Sequence, residues 1–263
     1  MLGARLPSGY RGVMSRDPAT DATVAYFDEH CPEYSTGRLA WAAEWIAERH
    51  GAEASLADLG CGAGNILAYL RERTGIHDVA GIDPSTGLLE VARARLDCPT
   101  YPVSVLDPQI EERIPDRFDV VVAAAVLHHL VGRTRRASRR LAGTAVAQAL
   151  RLVRPGGHLV IVEPVFTPRL PMAILFHTKQ LVARFTDDRV PLGNYWHNVG
   201  PPVVSYLTDP QLEASARAAG GEVVARHTEP RDVAGLLRLA GIRSRHESTF
   251  VVRRPPGHNP SPS

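Results

Sequence analysis

From residue 55 onward the apolar positions fall into short runs separated by stretches of helical periodicity. The spacing predicts strands at 55–59, 78–82, 101–106, 118–124 and 157–162, and helices at 64–73, 86–96 and 134–153. The runs Val120-Val121-Val122-Ala123 and Leu159-Val160-Ile161-Val162 are apolar at every position, as strands buried on both faces of a parallel sheet are. Strand, helix, strand at this spacing means right-handed βαβ units with helices on both faces. Arg154-Pro155-Gly156-Gly157 ends the long helix and turns the chain into the fifth strand. Upstream, Leu39, Trp41, Ala42, Trp45 and Ile46 recur at helical spacing, and Ser35 or Thr36 caps a helix that runs to Gly51.

The flanks read differently. Residues 1–20 carry Gly, Pro and Ser without apolar periodicity and are expected to form a flexible arm. Pro255-Pro256-Gly257-His258-Asn259-Pro260-Ser261-Pro262-Ser263 predicts a disordered tail over 255–263. Between them, 21–254 reads as one domain. Its segment 164–206 holds six prolines (Pro164, Pro168, Pro171, Pro191, Pro201, Pro202) and the rings of Phe166, Phe176, Phe185, Tyr195, Trp196 and Tyr206. That segment reads equally as a lid over a binding cleft and as a peripheral subdomain with its own small core. A helix capped by Thr208, with Asp209 and Pro210 in its first turn, is expected to reach Gly220. A strand near 222–227, a helix near 231–240 and a last strand at 248–253 follow, with Leu236 to Ile242 open to being the helix before a final hairpin.

Composition narrows the function classes. The chain has 263 residues, 44% hydrophobic and 22% charged, with a net charge of +2, which places it among ordinary globular proteins. No apolar run reaches the ~18 residues of a membrane helix, and no apolar stretch follows Arg5 and Arg11 as a secretory signal needs. The cytoplasm is expected, with no membrane partner. Cys31, Cys61 and Cys98 share no metal-ligand spacing. Near-zero net charge argues against a nucleic-acid binder. Arg133, Arg135, Arg136, Arg139 and Arg140 crowd one helix start, as a solvated face or as a landing patch for an anionic substrate or acidic partner.

The chemistry concentrates at strand ends. Leu56-Ala57-Asp58-Leu59-Gly60-Cys61-Gly62-Ala63-Gly64-Asn65 follows the first strand and opens the first sheet helix, where glycines supply unusual φ angles and room for a ligand. A dinucleotide fingerprint requires G-x-G-x-x-G, and counting from Gly60 its last position is Asn65. The G-x-G-x-G spacing after Asp58 suits a ligand with cationic groups better than a pyrophosphate. Gly81-Ile82-Asp83-Pro84-Ser85 puts an acid at the end of the second strand, suited to accept from two ribose hydroxyls. Val105-Leu106-Asp107 puts another at the end of the third, within reach of an adenine amine.

With Phe118-Asp119-Val120-Val121 and Leu152-Val153-Arg154-Pro155-Gly156-Gly157 added, residues 20–163 resemble the class I S-adenosylmethionine-dependent methyltransferases. The likeness is to the small-molecule branch that includes quinone-biosynthesis and antibiotic-tailoring enzymes. The resemblance implies a Rossmann-like, doubly wound α/β fold with a seven-stranded sheet whose last strand is antiparallel. It also implies S-adenosylmethionine contacts from Asp58, Gly60, Gly62 and Gly64, from Asp83 and Pro84 to the ribose, from Asp107 to the adenine and from Ala124 near the thioether. Tyr34 resembles a tyrosine that closes over the methionine moiety.

A hydroxyl or ammonium acceptor must lose a proton, so a general base is sought. His128 and His129 follow the fourth strand at the rim of the expected cleft, His128 being the one expected to face the acceptor. Glu163 ends the fifth strand and is placed to orient a histidine, or to sit as a strand-end carboxylate held by backbone amides. His177 and His197 are lesser base candidates, and Asp187-Asp188 does not by itself call for a metal. The expected acceptor is a small, aromatic or apolar metabolite, the expected assembly a monomer or homodimer. Two other readings stay open: methylation of protein or nucleic acid, against which Ala123-Ala124-Ala125-Val126 argues, and a non-catalytic cofactor-binding module.

Overall fold

The computed structural model describes residues 36–168, 170, 172–174, 176–178, 204–233, 235–239 and 241–257. A 3-10 turn, Thr36–Leu39, leads into α1 (Ala40–Arg49). There follow β1 (Ser55–Leu59), α2 (Asn65–Thr74), β2 (Asp78–Ile82), α3 (Thr86–Leu96), β3 (Thr100–Tyr101), α4 (Ile110–Arg113) and β4 (Phe118–Ala124). A second 3-10 turn, Leu127–His129, precedes α5 (Arg135–Leu152) and β5 (Val153–Thr167). The chain closes with α6 (Asp209–Ala218), β6 (Glu222–Arg231), α7 (Gly235–Leu239) and β7 (Ser244–Arg253).

The seven strands form one sheet in the order β3-β2-β1-β4-β5-β7-β6. Neighbours from β3 to β5 are parallel, and β7 runs antiparallel to both β5 and β6. Alternate residues feed two cores. Leu56, Val120, Val122, Val160, Val162 and Val251 pack under α1 and α2. Ala57, Leu59, Val121, Ala123, Leu159, Ile161, Phe250 and Val252 pack under α5 and α6. The continuous apolar runs are thus buried on both sides, as their pattern required.

Four strands depart from their expected boundaries. β3 stops at Tyr101 instead of Leu106: Pro102 has no N–H for the ladder, and Val103 N–H turns back to Tyr101 O at 2.9 Å. Val103 and Val105 are buried as loop residues. β5 runs from Val153 to Thr167, so residues 164–167 belong to the sheet. Pro164 fits there because the β4 ladder ends at Ala124–Val162, leaving β7 as the partner, with Pro164 opposite Glu247. β7 likewise begins at Ser244 and β6 extends to Arg231. The rest of 164–206 lies largely outside the described residues, as do residues 1–20, Tyr34, Asp187, Asp188, Trp196, His197 and residues 258–263 of the tail.

At the sheet end where β4 and β5 begin, Asp119 accepts from Ser55 N and Oγ at 2.9 Å each and pairs with Arg154 at 2.6 Å. Beside it, His50 Nε2 and His158 Nδ1 lie 3.0 Å apart, with Trp45 edge-on to His158. Burial pushes His158 down to about 4, with His50 adding to the effect, and burial also lowers His50. The folded pair refuses protons that the unfolded chain accepts. Its contribution is therefore intact above the unfolded value of 6.5 and falls as pH drops toward about 4. The melting-temperature difference between wild type and His158→Asn is expected to change across that window in calorimetry. A pH-independent difference would refute the assignment.

Candidate active site

The order of the sheet reverses between β1 and β4, the place where open α/β sheets bind ligands at the carboxyl ends of their strands. Gly60 N–H and Cys61 N–H both donate to Ile82 O, at 2.7 and 3.2 Å, folding the loop after β1 over the end of β2. Gly60 has φ +76°, and a Cβ there would stand 2.5 Å from Val126 Cγ2. No other residue fits. Gly62 has φ +51° and donates its N–H to Asp83 Oδ2 at 3.0 Å. Gly64 sits at the N-cap of α2 with φ +78°.

Two carboxylates, Asp58 and Asp83, adjoin this loop, and a third, Asp107, follows β3. Asp58 is 1% exposed, and its Oδ2 is buried with no hydrogen-bond partner among the described residues. Burial first, and the neighbouring Asp83 second, push its carboxyl up to about 8. Asp83 accepts from Gly62 N and, through Oδ1, from Ser85 N at 2.9 Å, which fixes its plane at the mouth of the loop beside Pro84. Asp107 caps the turn into α4, taking Gln109 N–H at 2.9 Å, and pairs with Arg113 Nε at 2.9 Å. Sequence reasoning did not anticipate that Arg113 tie.

The end of β4 holds the second half of the site. Ala124 is buried at the last strand position, and Ala125 takes φ +58°, a left-handed conformation that costs a non-glycine residue about 1–2 kcal/mol. Ala125 N–H is anchored on Val162 O at 2.8 Å. The next two amides, of Val126 and Leu127, converge on Glu163 Oε1 at 2.8 and 2.6 Å. Glu163 Oε2 meets His128 Nδ1 at 2.7 Å. A carboxylate only accepts, so Nδ1 carries the proton and a neutral His128 keeps its lone pair on Nε2. Among the described residues that Nε2 has no hydrogen-bond partner. Glu163 is thus held by backbone amides at its strand end and also bonds the ring of His128.

His128 is 7% exposed, while His129, its ring 4.1 Å away and tilted 39°, is half-buried. His177 lies exposed in the segment after β5. Arg133, just before α5, and Arg136, Arg139 and Arg140 on it are exposed, whereas Arg135 turns inward to donate to Tyr206 O at 3.2 Å. Tyr206 itself stacks on His128; a lone aromatic at the end of a proline-rich stretch carries no periodic signal that would have found it.

A family model described as "Methyltransferase domain" matches residues 57–161. The chain is 28% identical over 196 residues to the ubiquinone biosynthesis O-methyltransferase of Pseudomonas aeruginosa, covering 73% of this chain and 72% of that protein. It is 34% identical over 107 residues to the trans-aconitate 2-methyltransferase of Methylobacterium radiotolerans, covering 41% and 36%. In fold it matches the N-methyltransferase NodS of Bradyrhizobium japonicum bound to S-adenosyl-L-homocysteine, with a TM-score of 0.56, 16% identity, and 89% and 100% of the two chains covered. Residues 57–161 are a methyltransferase domain of the class I, S-adenosylmethionine-dependent kind. The expected seven-stranded sheet with an antiparallel last strand is borne out.

The loop of this methyltransferase fits that cofactor. An orphaned buried carboxyl oxygen on Asp58 calls for a cationic partner, and the cradle at Gly60 excludes any side chain. Asp58 holds its proton when the partner is absent. Its folded pKa is raised, so its contribution to stability is complete below about pH 4 and is lost as pH rises through about 8. Asp58→Asn is expected to melt higher than wild type at pH 8 without ligand, the gap closing below pH 4. It is also expected to bind S-adenosylmethionine about 1.5–3 kcal/mol more weakly. Scanning and titration calorimetry measure both.

Proposed function

We propose that this methyltransferase methylates a hydroxyl or amine of a small, flat, largely apolar acceptor, with His128 as general base and Glu163 as its orienter. The observation that carries this reading is the 2.7 Å contact from His128 Nδ1 to a carboxylate already locked by two backbone amides. When bound, S-adenosylmethionine supplies an electrophilic methyl group, so the protein's task is alignment, exclusion of water and removal of one proton.

In this reading Asp58 faces the cationic end of the methionine moiety, and Gly60, Gly62 and Gly64 leave room for it. Asp83 and Pro84 border the ribose, Asp107 the adenine, and Ala124 the thioether. His128 takes the acceptor proton on Nε2 while Glu163 stabilises the imidazolium that forms. His129 packs behind it. Relatives that act on small molecules support a small-molecule acceptor, and the rings of Phe166 and Tyr206, 4.5 Å apart near His128, favour a flat one.

His128→Ala is expected to lower kcat by about 10²–10⁴ while S-adenosylhomocysteine affinity barely changes. The deficit shrinks as pH rises and the acceptor ionises unaided. Glu163→Gln is expected to fall between, since it disorients the base without removing it. The measurement is a pH–rate profile of wild type and both variants with one accepted substrate; a constant mutant-to-wild-type ratio from pH 6 to 10 would count against His128.

A further inference from the structure

One hydrogen bond does not fix an imidazole. The Glu163 contact at Nδ1 holds one edge of the His128 ring, yet the ring plane can still swing about that bond. Tyr206 addresses this freedom. Its ring lies 5.2 Å from that of His128 with the planes 21° apart, against the 39° tilt of His129.

Tyr206 is held from several sides. Ser205 N–H donates to His128 O at 2.8 Å, so the backbone beside the tyrosine is bonded to the backbone of the histidine it covers. Arg135 Nη2 donates to Tyr206 O at 3.2 Å from the start of α5. The ring also meets Phe166 at 4.5 Å, tilted 52° to it, and packs against a small core of Phe166, Met172, Val233 and Ile242. Swinging the ring away would break its packing on that core, while the two ties hold in place the backbone that carries it. Glu163, Glu247, Arg245 and Arg38 lie close enough to Tyr206 to act on its hydroxyl electrostatically, and burial above all pushes that hydroxyl up to about 12. It stays neutral at working pH and does not compete with His128 for protons.

We propose that Tyr206 is a positioning residue for His128, its face-on ring fixing the imidazole plane so that Nε2 keeps a single direction. The proposal rests on the reading of His128 as base, and it assigns the effect to the ring, not to the hydroxyl.

The test uses the full chain, labelled with ¹⁵N-histidine and saturated with S-adenosylhomocysteine. The Nδ1 proton shared with Glu163 is expected as a slowly exchanging downfield resonance, assigned by its absence in His128→Gln. Tyr206→Phe is expected to keep it. Tyr206→Leu is expected to lose it to solvent exchange while still binding S-adenosylhomocysteine. If the leucine variant fails to fold, as judged by that binding, Tyr206→Met makes the same comparison. Retention in the leucine or methionine variant overturns the proposal, as does loss in the phenylalanine variant or absence from the wild type. Failure of the base reading looks different: the pH–rate ratio of His128→Ala stays constant while the resonance pattern holds.

Discussion

Where β4 runs out, the chain turns through Ala125 in a left-handed conformation and releases two amides, of Val126 and Leu127, into a region closed to solvent. Buried donors of this kind must be satisfied. Glu163, itself 1% exposed, takes both on one oxygen and gives the other to His128. Bonds to a charged acceptor contribute about 1.5–3 kcal/mol each, enough to offset the strained alanine. One carboxylate therefore shapes the turn and, in the proposed reaction, aims the base. Neither function can be altered without the other.

The same turn reaches the cofactor side. Val126 presses on Gly60 so closely that any Cβ there would collide with it. The glycine loop and the histidine are thus two faces of one packed junction between β1, β4 and β5. Across the loop, Asp58 and Asp83 crowd negative charge, and the cost of burying Asp58 is met by a proton or by a cationic ligand. Beside His128 lies Tyr206, its ring 4.5 Å from that of Phe166 and tilted 52° to it, with the Arg245–Glu247 pair nearby.

Much of this was legible in the chain. Apolar runs buried on both faces announce central parallel strands; Asp58 and Asp83 stand on β1 and just after β2, whereas Asp107, expected at a strand end, lies in the loop after β3. What escaped reading depended on tertiary partners. Pro102 ends β3 early because a ladder needs its missing N–H, whereas Pro164 is tolerated because β4 has already ended beside it. Asp107 was expected at the adenine, and its pairing with Arg113 follows from the short α4, which has no periodic signature. His50 and His158 are 108 residues apart in sequence and meet only because α1 packs across β5. Tyr206 reaches His128 through backbone bonds that no motif encodes.

For His128 to act as base, its Nε2 and the methyl-donating centre must face one shared space. A crystal structure of the complex with S-adenosylhomocysteine measures this. The cofactor sulfur is expected roughly 5–8 Å from Nε2, with a clear line between them that holds a methyl group and one acceptor atom. A sulfur more than about 10 Å away, or screened from His128 by the Ala125–Val126 turn, would contradict it.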